Sequence, residues 1–152
     1  TYNAAFFAGL KDIEHKPHSF YIDRYPLGRE ATVAWPEVDL KFQNDTPYGI
    51  LIHAWVVPST TVSQGEMHVE MYSTKYWDID AGVSDRYNLT NPSTRYSSAD
   101  DCVPTTGYGG FSVDVYRYFR KPGSSELVKK ETQTVTYIPA DTVICSAPPT
   151  GN

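Results

Sequence analysis

The chain has 152 residues, a net charge of −5 and only two cysteines, a length that suits one domain with a sizeable core. No run gathers Lys and Arg as phosphate contacts require, which excludes nucleic acid as the main partner. No apolar run reaches the length of a membrane-spanning helix, and no segment reads as a signal peptide. Twelve tyrosines, eleven prolines and many Thr and Val favour strands and turns over a helical bundle.

In chain order, Tyr2, Phe6, Leu10 and Ile13 fall at helical spacing and Ala4, Ala5 and Ala8 allow close packing, which predicts a helix over residues 1–13. No capping residue precedes it. An apolar helix that opens at the first residue predicts a natural polypeptide extending upstream. Pro17 keeps the helix from going further, since the residue before a proline avoids the helical region. Residues 19–22 read as a short strand, 24–28 as a turn, and 29–35 as a strand stopped by Pro36. Another strand covers 39–44, followed by a turn over 44–49.

Residues 50–57 are apolar on both faces apart from His53, the pattern of a central strand. A connection over 58–65 includes a short strand at 60–62. Over residues 66–74, Met67, Val69 and Met71 alternate with His68, Glu70 and Tyr72, and a further strand covers 76–83. From Ser84 to Tyr108 the composition turns polar, which predicts a long surface connection. Two long strands at 111–120 and 126–138 flank Lys121-Pro122-Gly123-Ser124 and are expected to form a hairpin, and residues 146–152 read as a disordered tail. The expected fold is α+β: one N-terminal helix packed on a mainly antiparallel β-sheet, then a disulfide-tied C-terminal β-hairpin. The expected division is 1–83 as a core and 84–152 as a hairpin extension with a flexible tail.

Residues 15–35 hold the densest chemistry. His15 and His18 are spaced H-x-x-H, but two ligands are too few and Pro17 interrupts a helix there, so neither a metal nor a cofactor is expected. Either histidine has the ring chemistry of a general base, with Asp23, Glu30 or Asp39 to orient it. The nucleophile is missing. An N-terminal Thr nucleophile opens a strand in the hydrolases that use one, whereas Thr1 opens a predicted helix. Arg24 and Arg29 flank a turn containing Tyr25 and, with Glu30, form a candidate ligand-binding edge suited to a carboxylate. In the plainer reading, one Arg pairs with Asp23 or Glu30 and the other is solvated. Cys102 and Cys145 are buried thiols, a disulfide or half of a metal site. The absence of CxxC spacing favours the disulfide, which implies an oxidising compartment.

The run T-Y-N-A-A-F-F-A-G-L-K-D-I-E-H-K-P-H-S-F-Y-I-D-R-Y-P-L-G-R-E-A-T-V, continued by D-L-K-F-Q-N-D-T-P-Y-G-I-L-I-H-A-W, resembles the VanW family of bacterial cell-envelope proteins. The resemblance covers residues 1–72 and is carried by His15, His18, Tyr25, Pro26, Gly28, Arg29, Ala31, Thr32 and Asn44. Residues 102–145 resemble the C-terminal extension of actinobacterial members. The resemblance implies an extracellular or wall-associated location, upstream neighbouring modules, and a Gly-rich segment with Cys or Ser before the residues that match Thr1. A Cys there, with a His on the following segment, would resemble papain-like geometry. The leading expectation is therefore an envelope module that binds cell-wall or surface polymer or supports an assembly. The alternatives are a peptidoglycan peptide-bond hydrolase or transpeptidase with its nucleophile upstream, and a structural subunit of a surface complex. Expected partners are a wall polymer, an upstream fragment of the same precursor or another envelope protein.

Overall fold

Val113, Val115 and Phe119 alternate with Asp114, Tyr116 and Tyr118, and this period-two segment forms β8 (Gly110–Arg120), the strand around which the chain folds. The structure, a computed structural model, describes residues 1–147; most of the expected tail lies outside the described residues. In chain order the elements before β8 are α1 (Tyr2–Phe7), β1 (Lys11–Glu14), β2 (Lys41–Gln43), β3 (Leu51–Val57), β4 (Glu66–Tyr72), β5 (Asp78–Val83), β6 (Tyr87–Thr90) and β7 (Thr94–Tyr96). Those after it are β9 (Leu127–Tyr137) and β10 (Thr142–Ile144). The fold is β-rich, with one short helix at its N-terminal end and mainly antiparallel sheets.

β9 pairs antiparallel with β8 from Phe111↔Tyr137 to Arg120↔Leu127. On the other edge of β8, β5 covers residues 115–120 and β6 covers its beginning. Phe111, Val113, Val135 and Tyr137 form the core, with Tyr21 and Leu27 packed against it. Gly28 (φ +66°) passes so close that a Cβ would lie 2.3 Å from Val115 Cγ2. Only glycine meets both conditions, the left-handed backbone and the missing side chain. Its N–H donates to the Tyr137 hydroxyl at 2.9 Å.

The helix is shorter than its apolar spacing predicts. It ends at Phe7, because Gly9 (φ +73°) turns the chain against Trp77, where a Cβ would meet Cδ1 at 2.8 Å. Residues 11–14 instead pair antiparallel with β2, and Ile13 faces solvent. Tyr2, Ala5 and Phe6 are buried. A six-residue helix leaves its last carbonyls without helical partners. Backbone N–H groups of residues 8–10 satisfy several of them, and Arg117, only 5% exposed, adds a side-chain donor: its Nη1 donates to Phe6 O at 3.2 Å and, beyond the helix, to Leu10 O at 2.9 Å, while Nε donates to Glu131 Oε2 at 2.8 Å. A cation at a helix C-terminus also complements the helix dipole.

Four further expectations are corrected. Residues 19–22 and 29–35 are loop, with only the isolated bridges Lys16↔Thr32 and Ala34↔Val38, because Pro17, Pro26 and Pro36 break continuous ladders. The expected strand at 60–62 is a turn in which Thr60 N donates to Ser63 O at 2.9 Å. β3 is not central: among the described residues it pairs with β4 alone, and all seven of its residues are exposed. The long connection contains β6 and β7, and β7 pairs parallel with β10. Cys102 and Cys145 form a disulfide that fastens this region, with Cα atoms 5.7 Å apart. Among the described residues, no helix is long and apolar enough to cross a membrane.

Candidate functional site

β1 carries Asp12 on its way to His15, and the loop folds the imidazole back onto it. His15 Nδ1 lies 2.5 Å from Asp12 Oδ2, and the histidine side chain is 8% exposed. Gln133, on β9, places its amide nitrogen 2.6 Å from His15 Nε2. An amide nitrogen only donates, so Nε2 accepts and the ring proton sits on Nδ1, where it is donated to Asp12. The Tyr2 ring stacks on the imidazole with centroids 4.1 Å apart. The Tyr2 hydroxyl shares its proton between Gln133 Oε1 at 3.1 Å and Asp12 Oδ2 at 3.3 Å. Burial, then the Asp12 charge, pushes this phenol well above its ordinary value. Asp12 Oδ1 is buried without a hydrogen-bond partner.

This cluster forms one wall of a cleft of about 360 Å³, whose other wall includes Lys129, Glu131 and Thr132. Burial alone would raise the Glu131 carboxyl, but hydrogen bonds from Lys129 and Arg117, and their charges, outweigh it and hold the group below its ordinary value. Lys129 Nζ lies 2.5 Å from Glu131 Oε1. The cleft therefore offers ammonium and carboxylate groups around a fixed imidazole.

The family model described as VanW like protein matches residues 1–72, the stretch that supplies Tyr2, Asp12 and His15. That stretch belongs to the VanW family. No curated protein and no solved structure matches the chain. The VanW stretch holds only half of the cleft, since Lys129, Glu131 and Gln133 lie beyond it.

The other candidates within the VanW stretch go to different places. His18 stacks on Tyr25 with centroids 4.9 Å apart, and its buried Nδ1 has no partner among the described residues. It lines a separate, mostly apolar cleft with Phe20, Ile22 and Val38. Arg24 is exposed and donates to Gln64 in the connection between β3 and β4. Arg29 donates from Nε to Asn3 Oδ1 at 3.1 Å, and its guanidinium lies over the Phe7 ring at 5.3 Å, bracing α1. Glu30 is 7% exposed and accepts from the Tyr137 hydroxyl at 2.8 Å. The structure thus brings His15 together with Asp12 and Gln133, and places Arg24, Arg29 and Glu30 on three separate partners. The carboxylate that orients His15 is Asp12, not Asp23, Glu30 or Asp39. Asp12 was legible only as a near neighbour of His15, and nothing in the sequence marks Gln133, which lies 118 residues away. Among the described residues no three His, Cys, Asp or Glu side chains are grouped to hold a metal ion.

Proposed function

We propose that the chain is a cell-envelope module, working outside the membrane, that binds cell-wall or surface polymer at the His15 cleft. The observation that carries this reading is the engagement of both His15 ring nitrogens, one with Asp12 and one with Gln133. A general base needs a free nitrogen within reach of the proton it takes. Here the imidazole is a rigid wall, and Lys129 and Glu131 supply polar groups for an amide- and carboxylate-rich polymer. In this proposal Arg24 and Tyr25 offer a second, separate polar edge, while Arg29 and Glu30 hold their loop against α1 and Tyr137. The family match and the disulfide support the location.

The test is co-sedimentation of the chain with purified peptidoglycan, with the soluble fraction checked by mass for released fragments. Binding that falls in His15→Ala and Gln133→Leu, with no fragments, supports the reading. Absence of binding overturns it. The Asp12–His15 pair at 2.5 Å favours one second reading, a hydrolase or transpeptidase acting on peptide bonds of peptidoglycan. In that case the nucleophile comes from outside this chain and Gln133 yields Nε2 when it arrives. Fragments that disappear in His15→Ala would decide for that reading.

A further inference from the structure

We propose that the open cleft beside Arg86 is a binding site for the terminal carboxylate of an extended peptide. It is a different place from the His15 cleft and does not rest on the reading above. The cleft has a volume of about 680 Å³ and is bordered by Ile22, Leu89, Tyr108 and Phe111, with Arg86 at its side.

The Arg86 guanidinium lies 4.0 Å from the Phe111 ring centroid and 4.9 Å from that of Tyr21. Those rings are anchored: Phe111 is 4% exposed, and Tyr21 meets both Phe111 and Tyr137 edge-on at 5.3 and 5.5 Å. The two rings hold the guanidinium by cation–π attraction, which satisfies its charge without using its N–H groups as hydrogen-bond donors to an oxygen. Arg24, Arg29, Arg117 and Arg120 each donate to a protein oxygen. Among the described residues Arg86 and Arg95 have no such acceptor, and of these two Arg86 alone lines the cleft, which it shares with Asp23. A positioned fork of donors without an acceptor matches a carboxylate approaching edge-on, with two parallel hydrogen bonds. The ordering of the long side chain is already done by the two rings, which lowers the entropy lost on binding.

Two features select a peptide. β6 follows directly after Arg86 and, among the described residues, is paired only on its β8 side, which leaves its outer edge to accept an extended backbone. Ile22 and Leu89, both exposed, give the last side chain an apolar wall. The Asp23 carboxylate disfavours a second negative charge, so the ligand carries one carboxylate and an uncharged body.

The test is a nuclear magnetic resonance titration of the whole chain with N-acetyl-dialanine as the free acid and as the carboxamide. The expected result is saturable binding of the acid, with shifts at Arg86, Tyr108 and Phe111, and binding of the carboxamide weaker by roughly tenfold. Arg86→Gln is expected to weaken the acid by roughly the same factor, and Arg95→Gln, on β7, to leave it unchanged. Arg86→Lys keeps the charge without the fork and is expected to fall between wild type and Arg86→Gln. Equal binding of acid and carboxamide, full binding in Arg86→Gln, or no saturable shift overturns the proposal. Should Arg86→Gln disturb the fold, Arg86→Lys decides: an affinity equal to wild type overturns the forked contact.

Discussion

Two antiparallel strand pairs dominate this chain and meet opposite fates. β8 and β9 alternate apolar and polar residues, and β9 carries Lys129, Lys130 and Glu131 in its middle, yet this pair holds the core. β3 is more apolar, Leu-Ile-His-Ala-Trp-Val-Val, and lies exposed along its whole length with only β4 for a partner. On one face of that second pair Trp55 stacks on His68 at 4.7 Å beside Glu66 and Glu70. On the other face Ile52, Ala54 and Val56 run alongside Met71, Val69 and Met67. Burial follows from what covers a strand, not from how apolar it is. β8 has β5, β6 and β9 beside it and Phe6 of α1 against Arg117, whereas the two-stranded β3–β4 ladder meets α1 on its β4 side and is marginal by itself.

The sharpest way to break this contrast is to loosen what encloses the β8–β9 pair. The Cys102–Cys145 bond spans 43 residues that include both strands. Replacing both cysteines with Ala is expected to cost about 4 kcal/mol on the loop-entropy account, read as a lower urea midpoint. A much smaller loss would mean that packing, not the crosslink, fastens the region. Next, Phe119→Ala removes a ring that is 3% exposed and is expected to cost about 3 kcal/mol. Val56→Ala on β3, at 63% exposure, is expected to stay within about 0.5 kcal/mol. Similar losses in the two unfolding curves would erase the distinction. Tyr137→Phe leaves the Gly28 N–H and Glu30 Oε1 without the hydroxyl they share, with an expected loss of about 1–2 kcal/mol.

The pH response is the smallest effect and tests the same region. Burial first, and then the Asp12 charge at Tyr2 and the hydrogen bond to Glu30 at Tyr137, raise the two phenols. A raised phenol favours the protonated native state, so its contribution is complete below the ordinary value of about 10 and is lost as pH climbs through the raised one. Tyr72 and Tyr87, hydrogen-bonded to Glu70 and Asp114, are raised as well, so phenolate absorbance should show a late-ionising group of tyrosines, with one fewer in Tyr2→Phe. Glu131 carries the opposite sign. Its lowered carboxyl favours the ionised native state, so that contribution is present above the ordinary carboxylate value and fades as pH falls through the lowered one. Glu131→Gln is expected to flatten the acid limb of a stability–pH curve.

Some of this was legible in the residues. The alternation of β4, β8 and β9 and the Lys121-Pro122-Gly123 break state their own structure, because period two is a local property. The end of α1 was not legible, since Ile13 continues the helical spacing by coincidence and the decisive approach of Trp77 to Gly9 comes from 68 positions further along the chain. β3 misled because a doubly apolar strand ordinarily has two covered faces, and no sequence pattern reports whether a cover exists. At the site, His15 stood out by residue type alone. Its partners did not: Asp12 lay inside a predicted helix, and Gln133 is an ordinary polar residue on a predicted strand. Glu30 looked like part of a binding edge until Tyr137 drew it inward.

Arg117 closes a helix that lies 111 residues before it, and Tyr2 reaches Gln133 across 131 positions. Such long-range closures slow folding relative to chains built from local contacts. They also set an order of assembly. Residues of the VanW stretch wait for partners more than a hundred positions later, and any fragment ending before β9 carries His15 without the Gln133 amide that engages its Nε2.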